Sequence, residues 1–212
     1  MPKGITLTPE QQAARRSEIV DIALRLIAEN GFQKTSMREI ADLAKMGKSS
    51  LYDFFKTKDE IAIYAMEKKF EEVIEQVHRI IDNEPLPELC LRKIMHNQLK
   101  VPHQYRTVLM WLHAESDYLE EEYRKRLKTI RYEYHNTIKT VIEGGVAKGV
   151  FRKTDSDLVV RLLINSMLSI VYTSRPSASE EKMLDETINI FLHGIMNEGG
   201  EKNEPLYPVF GA

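Results

Sequence analysis

The chain has a single cysteine, Cys90, in 212 residues. One thiol cannot close an internal disulfide, so cysteine usage gives no sign of an oxidising compartment. No apolar run approaches the roughly 18 residues that a membrane-spanning helix needs, so no membrane partner is expected. Residues 1–16 hold no apolar stretch ahead of their basic side chains, which reads as no secretory signal and a cytoplasmic location. Internal repeats, low-complexity segments and alternating period-two runs are also missing, so no strand is expected. No two of the histidines (His78, His96, His103, His113, His135, His193) stand three or four residues apart, and there is no Cys-x-x-Cys. That argues against a dedicated zinc site. No Ser/His/Asp arrangement and no phosphate-cradling glycine loop is legible, so neither an enzyme nor a cofactor is expected.

What is present is an ordinary globular balance, 42% hydrophobic and 29% charged residues. The length suits one or two domains, each able to bury a core without staples. Apolar positions recur at helical spacing: Ile19, Ile22, Ala23, Leu26 and Ile27; Met37, Ile40, Ala41 and Ala44; Val73, Val77, Ile80 and Ile81. Thr8/Gln11, Ser36/Glu39 and Thr57/Glu60 fit the capping box, in which a hydroxyl takes a first-turn amide proton and the third residue onward reaches back. Pro9 suits a first helical position, and Asn30-Gly31 suits a stop. A long helix of about 26 residues, roughly 39 Å at 1.5 Å per residue, begins near Lys58 and breaks at residues 82–87. Beyond it, one or two helices cover 88–118, interrupted near Pro102. Another covers 120–148, weakened and then ended by Gly144, Gly145 and Gly149. One runs from an Asp155 cap to Tyr172, and a last one runs from 177–180 to about 197. The expected class is all-α, with a helix-turn-helix domain at 8–57, a larger helical domain at 58–200 and a tail at 201–212.

Two short helices, 36–43 and 47–54, are joined by Ala44-Lys45-Met46. Small Ala41 and Ala44 at their crossing suit a helix-turn-helix, where large side chains would clash. Leu51 and Phe55 should face a core, leaving Lys48, Ser49, Ser50 and Tyr52 on other faces as donors for phosphates and base edges. The overall charge of −2 discourages a nucleic-acid partner, but it is an average. Residues 34–58 carry six basic side chains (Lys34, Arg38, Lys45, Lys48, Lys56, Lys58) against three acidic ones (Glu39, Asp42, Asp53), a local +3 that leaves −5 elsewhere. Such a patch supplies salt-sensitive affinity for DNA; surface lysines that merely solvate a face are the bland alternative.

The runs Gly31-Phe32-Gln33-Lys34-Thr35-Ser36-Met37-Arg38-Glu39-Ile40-Ala41 and Lys48-Ser49-Ser50-Leu51-Tyr52-Asp53-Phe54-Phe55-Lys56-Thr57-Lys58 resemble the TetR family of bacterial transcriptional regulators. The likeness covers residues 15–62 in fixed register. It implies a homodimer, a three-helix DNA-binding domain and a larger helical domain that takes an effector. By position, Tyr52 and Lys58 resemble the family's phosphate-contacting tyrosine and fourth-helix lysine, and Thr35 and Arg38 resemble its other backbone contacts. Lys48, Ser49 and Ser50 fall where the family's recognition helix reaches the major groove. Two positions depart from the pattern. Lys45 stands where glycine is frequent, and a lysine in left-handed backbone carries strain; it is expected to add a phosphate contact. Gly47 stands where a serine or threonine cap is common and is a weaker cap.

Arg15 and Arg16 read either as an arm toward the DNA or as a solvated helix face. Met95, Met110, Trp111, His113, Tyr118, Met167 and Tyr172 combine apolar walls with polar handles, the set a pocket for a partly apolar small molecule needs, although each also reads as ordinary core. The last two helices carry apolar positions wider than one stripe, which suits a four-helix interface between two copies. The reading is a dimeric repressor, released from a pseudo-palindromic double-stranded operator by a small-molecule effector. A helix-turn-helix protein that acts through protein partners, without such a switch, is the alternative.

Overall fold

The computed structural model describes residues 7–98, 103–115, 119–173 and 175–197, and among these residues it shows nine helices and no strand. They are α1 (Pro9–Asn30), α2 (Met37–Leu43), α3 (Lys48–Phe54), α4 (Lys58–Asn83), α5 (Pro87–Gln98), α6 (His103–Glu115), α7 (Glu121–Ala147), α8 (Ser156–Tyr172) and α9 (Glu180–Ile195). The segment expected at 88–118 is thus two helices, and Pro102 between them lies outside the described residues.

Local capping sets most starts. Thr8 Oγ1 accepts from the Gln11 amide at 3.3 Å while Gln11 Oε1 accepts from the Thr8 amide at 2.9 Å. Asp155 and Ser179 cap α8 and α9 through one bond each, from the amides of Leu158 and Lys182. At α4 the expected reciprocal box is displaced by one residue. Thr57 accepts from the Glu60 amide at 3.0 Å, but the Glu60 carboxylate takes the amide of Lys56 at 2.6 Å. α1 ends at Gly31, whose φ of 83° and ψ of 158° fall where side chains are not tolerated.

Two buried clusters form. The first joins Ile19, Ala23 and Ile27 of α1 with Ile40, Leu51, Phe55 and the start of α4, and it draws in Val108 and Leu112 of α6 and Leu127 of α7. The second packs the end of α4 and α5 against Tyr134, Ile138 and Ile142 of α7, with Leu163 and Met167 of α8 and Ile188 and Leu192 of α9. α4 and α7 run through both clusters. The Arg126 guanidinium on α7 grips the Glu67 carboxylate on α4 with two bonds, at 2.8 and 2.5 Å, which ties them midway.

α7 does not weaken at Gly144 and Gly145; it continues to Ala147. Gly145 is needed for packing, because the ring of buried Phe151 occupies the space a Cβ would take, with Cδ2 2.1 Å from that position. The helix closes at Gly149, φ 71°, where the amides of Gly149 and Val150 return to the carbonyls of Val146 and Gly145. Bonds from Arg152 N–H to Ile195 O and from Asn197 N–H to Val150 O, both 2.9 Å, then tie this turn to the end of α9. Gly145→Ala should therefore cost about 1–3 kcal/mol of stability. Gly144→Ala, where a Cβ meets nothing within 4 Å, should be neutral or slightly stabilising. Urea unfolding midpoints of the two variants check this contrast.

Candidate nucleic-acid interface

α2 and α3 have seven residues each, too few to be stable alone, since isolated helices below about 12 residues are marginal in water. Their ends must be satisfied by something else. Ser36 begins α2 with a full capping box: its hydroxyl accepts from the Glu39 amide at 3.3 Å and its amide donates to Glu39 Oε2 at 2.8 Å. The Ser36 hydroxyl also donates to Glu39 Oε2 at 2.7 Å, and this bond, with that from the Ser36 amide, holds the Glu39 carboxyl below its usual range. α2 stops in a tight reversal in which Lys45 N–H bonds Asp42 O at 3.2 Å and Met46 N–H bonds Ala41 O at 3.1 Å. This pairing needs a left-handed residue at Lys45, whose φ is 51°. Lysine there carries the strain expected from the sequence. Ala41 and Ala44 are buried at the crossing, and α3 follows from Gly47, which makes no side-chain cap bond.

The supports come from behind. Arg15 Nη2 donates to Ala44 O, at the end of α2, at 2.7 Å. Arg16 Nη2 donates to Phe54 O, at the end of α3, also at 2.7 Å, and its guanidinium lies over the Phe55 ring at 4.8 Å. Adjacent arginines on α1 thus satisfy a terminal carbonyl of each short helix. They do not form an arm reaching outward. Lys58, the first residue of α4, directs its ammonium to the carbonyls of Phe32 and of Thr35, the latter at 2.9 Å. Burial pushes the Lys58 amine below its usual range, opposed by Asp59 and Glu39.

Of the residues assigned to DNA, Lys45, Lys48, Ser49 and Ser50 are exposed along the turn and the first residues of α3. Arg38 is exposed beside Asp42, with 3.9 Å between them. Tyr52 is half-buried, with Lys48 Nζ 5.8 Å from its ring centroid. Thr35 is buried and donates its hydroxyl to Gly31 O at 3.0 Å, so it shapes the loop before α2 from inside, as Lys58 does.

The residues grouped for an effector do not share one site. Met95 and Met167 are buried together in the second cluster, whereas Trp111 packs against the first and Met110 is 51% exposed. Tyr172, at the end of α8, is half-buried, and burial raises its phenol. The His113 side chain and Tyr118 lie outside the described residues. Sequence reading missed Tyr134, a buried phenol in the second cluster whose ring centroid is 5.7 Å from that of Phe70. Burial pushes that phenol well above its usual range. Its spacing from Leu127 and Val141 on the apolar face of α7 is the signal that could have found it. No group of three or more metal-ligating side chains occurs among the described residues.

The family model "Bacterial regulatory proteins, tetR family" matches residues 19–65, and "Tetracyclin repressor-like, C-terminal domain" matches residues 87–195. The chain is 26% identical over 200 residues to the HTH-type transcriptional repressor KstR2 of Mycolicibacterium smegmatis, covering 92% of this chain and 98% of that one. It shares its fold with AibR, solved in complex with isovaleryl coenzyme A and operator DNA, at a TM-score of 0.69 and 24% identity over 83% and 97% of the two chains. It also shares its fold with FadR from Bacillus subtilis in complex with stearoyl-CoA, at a TM-score of 0.72 and 19% identity over 84% and 98%. As for the arginine supports, Arg16→Met keeps the aliphatic stem but strands the Phe54 carbonyl. It should lower stability by on the order of 1–2 kcal/mol, read from denaturant unfolding.

Proposed function

The chain belongs to the tetR family of bacterial regulatory proteins, DNA-binding transcriptional regulators and not enzymes, and we propose that it is a dimeric repressor whose grip on a pseudo-palindromic operator is released by a partly apolar small molecule. The observation that carries this reading is α3, open to solvent at Lys48, Ser49 and Ser50 and held from behind by Arg16 and the first cluster. Its opening residues would read base edges in the major groove, while Arg38, Lys45 and Tyr52 would touch phosphates. Lys58 and Thr35 would act from within, by fixing the loop ahead of α2.

Pairing of two copies is supported by α8 and α9. Leu158 and Leu162 on α8 and Ile190 on α9 are 46%, 53% and 66% exposed. A Cβ on Gly194 would meet nothing within 4 Å, which leaves room for a partner helix to approach closely. A pair joined there would set two copies of α3 about 34 Å apart, one turn of the duplex. The domain division at 58 and 200 belongs to this proposal, with α4 as the shared lever.

For the effector, the complexes of AibR and FadR with coenzyme A thioesters favour an acyl thioester, whose chain would suit the apolar surroundings of Met95, Tyr134 and Met167. Such a ligand can act only by binding the released arrangement more tightly than the DNA-bound one. Stearoyl-CoA or isovaleryl-CoA should raise the melting temperature in proportion to log concentration and should displace a duplex selected from a random pool. Sedimentation at twice the chain mass checks the pairing. A thermal shift with no loss of duplex would refute the switch and leave a DNA-binding protein that works through other partners. Lys45→Gly should give opposite signs in two measurements. It relieves left-handed strain, gaining about 1 kcal/mol or less in stability, yet weakens the duplex and lowers the salt slope by about one per protomer.

A further inference from the structure

The chain's one tryptophan, Trp111 on α6, lies flat against Phe32 in the loop between α1 and α2, with ring centroids 3.5 Å apart and planes 17° from parallel. A ring stacked that closely fills one face of Phe32. The Lys58 ammonium, 4.2 Å from the same ring's centroid, therefore takes the other. That ammonium is also bonded to the carbonyls of Phe32 and Thr35, and the next residue, Ser36, caps α2. A continuous line of contacts thus runs from α6 through Phe32 and Lys58 to the first turn of the helix-turn-helix. It meets α4 only at that helix's first residue.

We infer that this stack, Trp111 against Phe32 against Lys58, is the joint by which the C-terminal helices hold the reading helices in their DNA-binding pose, with Trp111 a positioning residue for DNA affinity. The inference rests on the DNA-binding reading above. Two features keep the joint from being locked. The Trp111 Nε1–H is buried with no hydrogen-bond acceptor among the described residues, so an arrangement of α6 that supplies one competes with the stack. Burial also disfavours the charged form of Lys58, so loosening the loop and admitting water relieves it. A small displacement of α6 uncovers one face of Phe32. The loop from Gly31 to Ser36 then keeps the lysine's hold and the Thr35–Gly31 bond but loses its aromatic cover, so the start of α2 is held less firmly.

Because Trp111 is the only tryptophan, its emission reports the joint without DNA. In the full-length protein, wild-type emission should resist acrylamide, and Phe32→Leu and Lys58→Met should make it more quenchable. With a duplex pool selected by the wild type, Trp111→Leu should bind about three- to tenfold more weakly. Trp111→Phe, which keeps an aromatic face, should stay within about twofold of wild type, and circular dichroism should be unchanged throughout. The double variant Phe32→Leu/Trp111→Leu should bind no more weakly than the weaker single variant, because the two residues act as one unit. Wild-type affinity in Trp111→Leu, additive losses in the double variant, or free quenching in the wild type would each overturn the joint while leaving DNA binding intact. A wild type that selects no duplex at all would overturn the DNA-binding reading, and the joint with it.

Discussion

A seven-residue helix cannot hold itself together, and this protein stakes its function on two of them. Each such helix has more unsatisfied terminal groups than internal bonds. α2 and α3 therefore exist only as far as their surroundings complete them. Arg15 and Arg16 on α1 and Lys58 on α4 do so with charge-assisted bonds to the carbonyls of Ala44, Phe54, Phe32 and Thr35. The apolar side of the same arrangement is Leu51 and Phe55, fully buried against α1. With the inner faces fixed in this way, the outer residues of α3 are presented with little freedom left to lose on binding.

The same economy explains why the two clusters are not independent. α4 and α7 pass through both, and the Arg126–Glu67 pair joins them where the clusters meet. α6 belongs with the first cluster, where Val108, Leu112 and Trp111 pack on the side of α1. A displacement of α4 or α7 therefore bears on both clusters.

Features with local causes were legible in the sequence. Hydroxyl and carboxylate caps at Thr8, Ser36, Asp155 and Ser179 act within three residues, so helix starts could be read directly. The small residues at the α2–α3 crossing and the left-handed strain at Lys45 follow from the same short range. Long-range acceptors were not legible. Every residue carries a carbonyl, so nothing in the sequence marks that of Phe54 as the partner of Arg16, 38 positions away. The glycines of α7 were legible only in part for a related reason: the helix ends beside Gly149 as its local preference suggests, but that Phe151 needs the bare surface of Gly145 is a contact the sequence does not mark. Side-chain type likewise grouped Met95, Met167 and Trp111 as one pocket lining, although they belong to different clusters.

The inward turn of Lys58 thins the basic stretch that the sequence offers. Between residues 34 and 58, Lys58 is bound to carbonyls from within the fold, while Lys56 stays exposed and donates to Tyr52 O at 2.6 Å. Lys34, Arg38, Lys45, Lys48 and Lys56 face solvent on a chain that is otherwise acidic. On the DNA-binding reading, a surface with so few exposed cations would release few counterions, and DNA of arbitrary sequence would hold it weakly.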